Sequence, residues 1–316
     1  MKKKRLIVLL LIAACLAAIF FFIKGPLRSG ADRYGHVNEG LSIGLRNADD
    51  IVEGVRSGLL RRADTITIRY RSEVEDMSQI ELMVSRVMDA AMEETGDPAQ
   101  GDYLRYQCGG YQAHYQYGID QDRYVYTISI KPDLYTDAEE EERVTERIRS
   151  ILEDFSFSGQ TGEEEKIRTI YDYVRSNVEY DYMHSEITHY HRKATACAAL
   201  FDGKAVCQGY AVLLYRLLRE AGIETRIVTG MANDGSGEVY HSWNIIKCGD
   251  SFYNADVTWD SQKGTRQFFL LSDEDFIGHT READFASAAF YDKYPMGAVS
   301  LLPEAERPDP AMLTGE

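Results

Sequence analysis

Residues 203–223 read GKAVCQGYAVLLYRLLREAGI. A glycine-led turn runs into an amphipathic stretch in which Tyr210, Leu213, Leu214, Leu217, Leu218 and Ala221 recur at helical spacing, and Gly222 ends it. Cys207 therefore falls in the first turn of a helix. The N–H groups of that turn lack intrahelical acceptors, and the helix dipole places its positive end there, so both favour a thiolate. The same N–H groups are placed to stabilise an oxyanion after attack on a carbonyl. A cysteine also serves as a small hydrophobe, so Cys207 reads as a nucleophile only if the chain supplies a base.

The sequence downstream alternates strand and turn. Residues 225–229 (TRIVT) read as a strand and residues 231–240 (MANDGSGEVY) as a glycine-bearing loop, the candidate lid over a cleft. Residues 241–247 (HSWNIIK) and 251–258 (SFYNADVT) read as two further strands, with Cys248-Gly249-Asp250 turning between them. A turn centred between Cys248 and Gly249 sets His241 opposite Asp256. Opposed residues on one sheet face lie roughly 5 Å apart at Cβ. Asp256 then holds the imidazole tautomer and stabilises the imidazolium, the task of the third member of a triad. Asn254, on the same strand face, and Asp260 are the rival partners. Trp243 shares the His241 face and is placed to wall the cleft, and Gln208 follows the thiol as a candidate support for the oxyanion.

The segments GKAVCQGYA, HSWNII and YNADVTWD, in that order, resemble the transglutaminase-like superfamily. The resemblance extends over roughly residues 160–285, and SNVEYDY (176–182) and FFLLSDEDF (268–276) are similar to its bacterial branch. It implies an α+β fold with a papain-like core, a thiol at a helix N-terminus packed on a small antiparallel sheet. It makes Cys207 the nucleophile, His241 the base and then the acid, and Asp256 the orienting carboxylate, acting through a thioester with no cofactor. The implied reaction is hydrolysis of peptide or amide bonds by a cysteine protease or amidase. Glutamine–lysine crosslinking is the alternative outcome of the same thioester, and a non-catalytic module binding cell wall or protein is a third reading. Val257-Thr258 departs from the proline-threonine that many members carry after the aspartate.

The 316 residues carry 51 acidic and 35 basic side chains, a formal charge of −16. Lys2, Lys3, Lys4, Arg5 and Lys24 sit in an N-terminal stretch without acids, so the remainder is more acidic still. Such a body repels phosphate backbones, which argues against a nucleic-acid partner. Residues 6–23 form an unbroken apolar run (LIVLLLIAACLAAIFFFI), long enough at 1.5 Å per residue to span roughly 27 Å. Positive charge before it sets the N-terminus inside and the body outside the cell membrane. Residues 1–24 thus read as a single-pass signal anchor, with a lipoprotein cleaved ahead of Cys15, or a secreted product, as the alternatives. The expected partners are the membrane, through this segment, and a protein or peptide substrate at the cell surface, cell-wall peptide included.

Residues 25–158 read as an α+β region. It comprises a strand at 64–71, a helix from Met77 to Ala91, a hairpin over 103–131 turning at 118–122, and a helix over 137–154. Tyr111, Tyr115 and Tyr117 alternate along the hairpin, which suits either a half-buried strand or a glycan-binding face. A junction at 159–162 with a capping box at Thr161–Glu164 opens the 159–297 domain, and the proline-punctuated tail from 298 to 316 reads as loosely ordered. Cys108, Cys197 and Cys248 form no CxxC pair, so zinc is poorly supported, while a disulfide of Cys108 with Cys197 or Cys248 stays open. His184, His189 and His191 cluster in a loop without an HExxH pattern, and the acidic stretches contain no DxDxDG loop, so no metal is expected.

Overall fold

The structure, a computed structural model, describes residues 41–44, 48–73, 75–233 and 237–309. The apolar run at 6–23, and Cys15 with it, lies outside those residues. Among the described residues no helix is long and apolar enough to cross a membrane.

Strand β1 (Leu41–Gly44) lies parallel to β2 (Ile66–Ser72), and helix α1 (Ala48–Leu60) makes the crossover between them. Helix α2 (Met77–Ala91) starts at Asp76, whose carboxylate accepts from the Gln79 N–H. A single turn, α3 (Asp102–Arg105), leads into the hairpin of β3 (Cys108–Asp120) and β4 (Arg123–Leu134), giving a sheet of order β1-β2-β4-β3. The strands pair as far as Asp120 and Arg123, so the turn is Gln121-Asp122 rather than the wider 118–122. Both turn residues have positive φ, 49° and 63°. Two left-handed residues match the right-handed twist of the flanking strands. Val55, Leu59, Ile66, Ile68, Val84, Met88, Tyr126, Ile128 and Ile130 form the core between sheet and helices. Tyr111 and Tyr115 pack on that core, Tyr111 against Ser85 of α2. Tyr111 and Tyr115 are therefore packing surface, whereas Tyr117 at the far end of the stripe is 51% exposed.

Helix α4 (Ala138–Phe155) opens with a complete capping box, Asp137 with Glu140, and three glutamates at its positive end. Helix α5 (Glu163–Asn177) does not open with the expected box. Gly162 is its N-cap and has no side chain to accept, while the Thr161 hydroxyl turns back to accept from the Ser158 N–H. Strand β5 (Glu179–Tyr180) pairs in parallel with β6 (Lys204–Ala205), which delivers the chain to α6 (Cys207–Glu220). Every residue of α6 from Gly209 to Leu218 is buried, so the helix is central and not amphipathic. Gly209 is required there: a Cβ would stand 2.7 Å from the Ala205 Cβ and 2.9 Å from the Lys193 carbonyl oxygen.

The second sheet is antiparallel. It comprises β7 (Thr225–Asn233), β8 (Glu238–Cys248), β9 (Ser251–Ala255) and, after helix α7 (Val257–Lys263), β10 (His279–Arg281), in the order β10-β7-β8-β9. Residues 231–233 and 238–240 are strand, so most of the expected loop is hairpin. The last short helix is α8 (Ala288–Lys293). The core beneath this sheet takes Tyr103, Val144, Ile148 and Ile151 from before residue 159, together with Ile170, Tyr171, Val174 and most of α6. The start of the expected loose tail packs: Leu302 is buried, and the Leu301 N–H donates to the Leu270 carbonyl over 3.0 Å.

Candidate active site

Cys207 is the first residue of α6, with Val206 as N-cap, and is half-buried. Its own N–H lies in the turn whose N–H groups lack helical acceptors. Across from it His241 stands on β8, 4% exposed, and its imidazole hydrogen-bonds the thiol. His241 Nε2 lies 2.8 Å from Asp256 Oδ2, which leaves Nδ1 for the sulfur.

Asp256 reaches His241 by a route the strand register did not foresee. The turn centres on Gly249-Asp250, so Cys248 faces Ser251 and the pairing ends at Asn244 and Ala255. The shift from the expected register is two residues, which preserves the face. The strand read over 251–258 stops at Ala255, and Asp256 becomes the N-cap of α7. Its Oδ1 accepts from the N–H groups of Thr258 and Trp259, at 2.9 and 3.1 Å. That fixes the carboxylate, entirely buried, with Oδ2 directed at His241. Val257 occupies the first position of the helix, where proline is also at home because no N–H is needed. This explains why valine stands there without altering the turn.

The charges follow from this geometry. Burial pushes the Cys207 thiol up, but the His241 charge, the hydrogen bond to the ring and one to the Ser242 backbone outweigh it, so the pKa falls below 9.0. Burial also opposes the His241 imidazolium, yet Asp256 and the Cys207 thiolate push its pKa up to about 10. Burial would raise the Asp256 carboxyl, and the imidazoles of His241 and His279 instead hold it far below the carboxylate range. Both shifts favour the thiolate and imidazolium forms of the pair. Among the described residues the other three thiols are free, and burial is the leading cause that raises each, Cys197 and Cys248 to about 11. Among the described residues the Cys108 thiol is not bridged to Cys197 or Cys248.

The rival residues do other work. Asn254 Oδ1 accepts from the Trp243 indole at 3.3 Å and from Arg281 at 2.8 Å. Asp260 accepts from the Tyr171 hydroxyl and from the Gln267 and Phe268 N–H groups, and burial pushes its pKa up to about 6. Trp243 is buried beside His241, with ring centroids 6.3 Å apart. The Gln208 side-chain amide donates to the Tyr106 carbonyl, tying the start of α6 to the segment after α3. His184 and His191 do not meet: His184 Nδ1 pairs with Asp181 at 2.8 Å, and His191 stacks on Tyr135.

His279 escaped the sequence reading. It lies on β10 with its Nε2 3.0 Å from Asp256 Oδ2, so this oxygen accepts from two imidazoles. The available signal was sparse: only His241 and His279 follow Cys207 in the chain. Among the described residues, His241, Asp256 and His279 come close enough to hold an ion. Their 2.8 and 3.0 Å contacts are ordinary N–H···O hydrogen bonds and need no metal.

Residues 152–257 match the Transglutaminase-like superfamily. Two solved structures align at 15% identity. One, of a TGase, has a TM-score of 0.35 and covers 84% of this chain and 69% of its own. The other, a candidate cysteine protease from Cytophaga hutchinsonii, has a TM-score of 0.33, with 58% and 73% covered. No curated protein matches the chain. The segment that carries Cys207, His241 and Asp256 is thus the part of the chain that matches the transglutaminase-like superfamily.

Proposed function

We propose that the chain is a thiol acyl-transfer enzyme that hydrolyses peptide or amide bonds, with Cys207, His241 and Asp256 as its catalytic residues. The observation that carries the reading is the hydrogen-bonded chain from the Cys207 sulfur through His241 to the buried Asp256 carboxylate. The thiolate attacks the carbonyl carbon, and first-turn N–H groups of α6 receive the oxyanion. His241 gives its Nδ1 proton to the amine as the C–N bond breaks, leaving a thioester and a neutral imidazole. That imidazole takes a proton from water as the water oxygen attacks the thioester. The acid is released and the thiolate and imidazolium return. An amine in place of water would give a crosslink from the same intermediate.

The N-terminal basic-apolar segment supports a single-pass anchor with this domain outside the membrane and peptides of the cell surface as substrates. The acidic body supports a partner other than nucleic acid.

The test is alkylation of the purified chain as a function of pH, read by mass spectrometry, with Cys108, Cys197 and Cys248 as internal controls. Cys207 is expected to react well below the ordinary thiol range of about 8.5 and to lose this in His241→Ala. A Cys207 that reacts like the other three overturns the reading. Peptide hydrolysis against incorporation of a labelled amine then separates hydrolase from crosslinker.

A further inference from the structure

We infer that His279 is a positioning residue for the site, holding the Asp256 carboxylate in line with His241 through a hydrogen bond from its Nε2–H. The inference rests on the catalytic reading of Cys207 and His241.

The Asp256 carboxylate has two oxygens, and the fold fills both. Oδ1 takes the two α7 N–H groups, and Oδ2 takes His241 at 2.8 Å and His279 at 3.0 Å. With His279 absent, one acceptor position of a fully buried carboxylate would have no donor, and such a group rotates or recruits water. The His279 ring has no such freedom. Its side chain is 1% exposed, stacked on Phe276 at 4.0 Å and tilted against Trp259 at 4.3 Å, with Phe268 at 5.7 Å. Those rings place the imidazole; they do not require it to be an imidazole, since phenylalanine fills the same space. The polar atoms therefore need their own reason.

Both groups that His279 faces only accept. Nδ1 stands 3.0 Å from the Ile277 carbonyl and Nε2 3.0 Å from the carboxylate. Burial pushes the pKa down from 6.5, against the pull of Asp256, so one proton remains near neutral pH. The carboxylate is the stronger acceptor and takes it. His279 then adds a second donor to Asp256 without a second positive charge, so it steadies the carboxylate and leaves the imidazolium to His241. The other titratable groups around Asp256 include Cys207, His241, Asp260 and Tyr171.

The position is built into the sheet. β10 pairs with β7, and Gly230 of β7 lies opposite both Arg281 and His241. A Cβ on Gly230 would stand 2.0 Å from the Thr280 carbonyl oxygen. Glycine is what lets β10 close on the site.

The experiment compares the full chain with His279→Phe and His279→Gln. Phenylalanine keeps the packing and removes the donor, while glutamine restores an N–H near the Nε2 position. His279→Phe is expected to fold, to lower kcat about tenfold with KM unchanged, and to raise the pH midpoint of Cys207 alkylation by about one unit. His279→Gln is expected to recover most of both. A folded His279→Phe with the wild-type alkylation profile overturns the inference while leaving the catalytic reading intact. A wild-type Cys207 of ordinary reactivity overturns both. Nitrogen-15 NMR of the wild-type histidines decides the matter even if His279→Phe does not fold: a proton on Nε2 is expected, and a ring protonated only at Nδ1 overturns the inference.

Discussion

Asp256 carries three duties in one side chain: it caps α7, fixes the His241 ring and balances its charge. Substitutions should separate them. Asp256→Asn keeps an oxygen for the α7 N–H groups but sets a neutral amide against His241. It is expected to lower kcat by roughly a factor of 10⁴ with a smaller change in stability, as when a triad aspartate is neutralised in place. Asp256→Ala also strips the cap and removes the carboxylate that supports the buried imidazolium, and should cost about 3–5 kcal/mol in urea unfolding. A kcat for Asp256→Asn within tenfold of wild type would remove the aspartate from the mechanism. The same residues set the pH range of stability. The Asp256 carboxyl is depressed in the folded state, so its contribution is complete above pH of about 4 and is lost as pH falls below that. The His241 pKa is raised, so its contribution is complete below about 6.5 and is lost as pH rises through about 10. Melting temperature should form a plateau between these limits, and Asp256→Asn should flatten both shoulders. Unchanged shoulders in that variant would assign them to other groups.

At the scale of elements, the site is built from three pieces brought together: the start of α6, the inside of β8 and the start of α7. The first two were legible because helix periodicity around Cys207 and the HSWNIIK pattern are local signals. The third was legible only in part. Moving the turn by one residue shifts the pairing by two and keeps the same face, so Asp256 still meets His241 although its strand was drawn too long. β10 was not legible, since three residues paired at long range leave no period in the sequence. The valine after Asp256 offers a direct check on the cap. Val257 is the first residue of α7, and Asp256 before it is extended, at φ −114° and ψ 90°. Val257→Pro should therefore fold, with stability within about 1 kcal/mol of wild type and activity retained. Loss of Cys207 activation in that variant would mean the α7 start is not the helix terminus described. Gly230→Ala should do the opposite. By forcing β10 away it should cost about 1–3 kcal/mol, and it should shift the Cys207 alkylation profile in the direction expected for His279→Phe. A wild-type profile in Gly230→Ala would uncouple β10 from the site.

For the molecule as a whole, the question is where the domain that bears the site begins. A boundary near residue 159 follows from the Gly159–Gly162 linker and from where the motifs start. Burial argues for an earlier start. Helix α4 contributes Val144, Ile148 and Ile151 to the core that holds α6, and Tyr103 joins them from α3. Asp102 is 2% exposed and receives Arg226 Nε at 2.7 Å, Arg226 Nη2 at 3.0 Å and the Ile227 N–H at 2.7 Å. An ion pair of this kind ties α3 to β7, and losing one partner leaves a poorly solvated charge behind. Glu94 adds a second tie, accepting from the Tyr215 hydroxyl of α6. A fragment over 159–309 would lack these partners and expose an apolar stripe of α6 to water. It should show no cooperative unfolding transition in urea and should bind a hydrophobic dye. A fragment over 100–309 restores α3, α4 and Asp102, and should unfold in one transition with Cys207 still activated. If the shorter fragment folds with the midpoint of the longer one, the motif boundary is the domain boundary, and α4 is a passenger on the core rather than part of it.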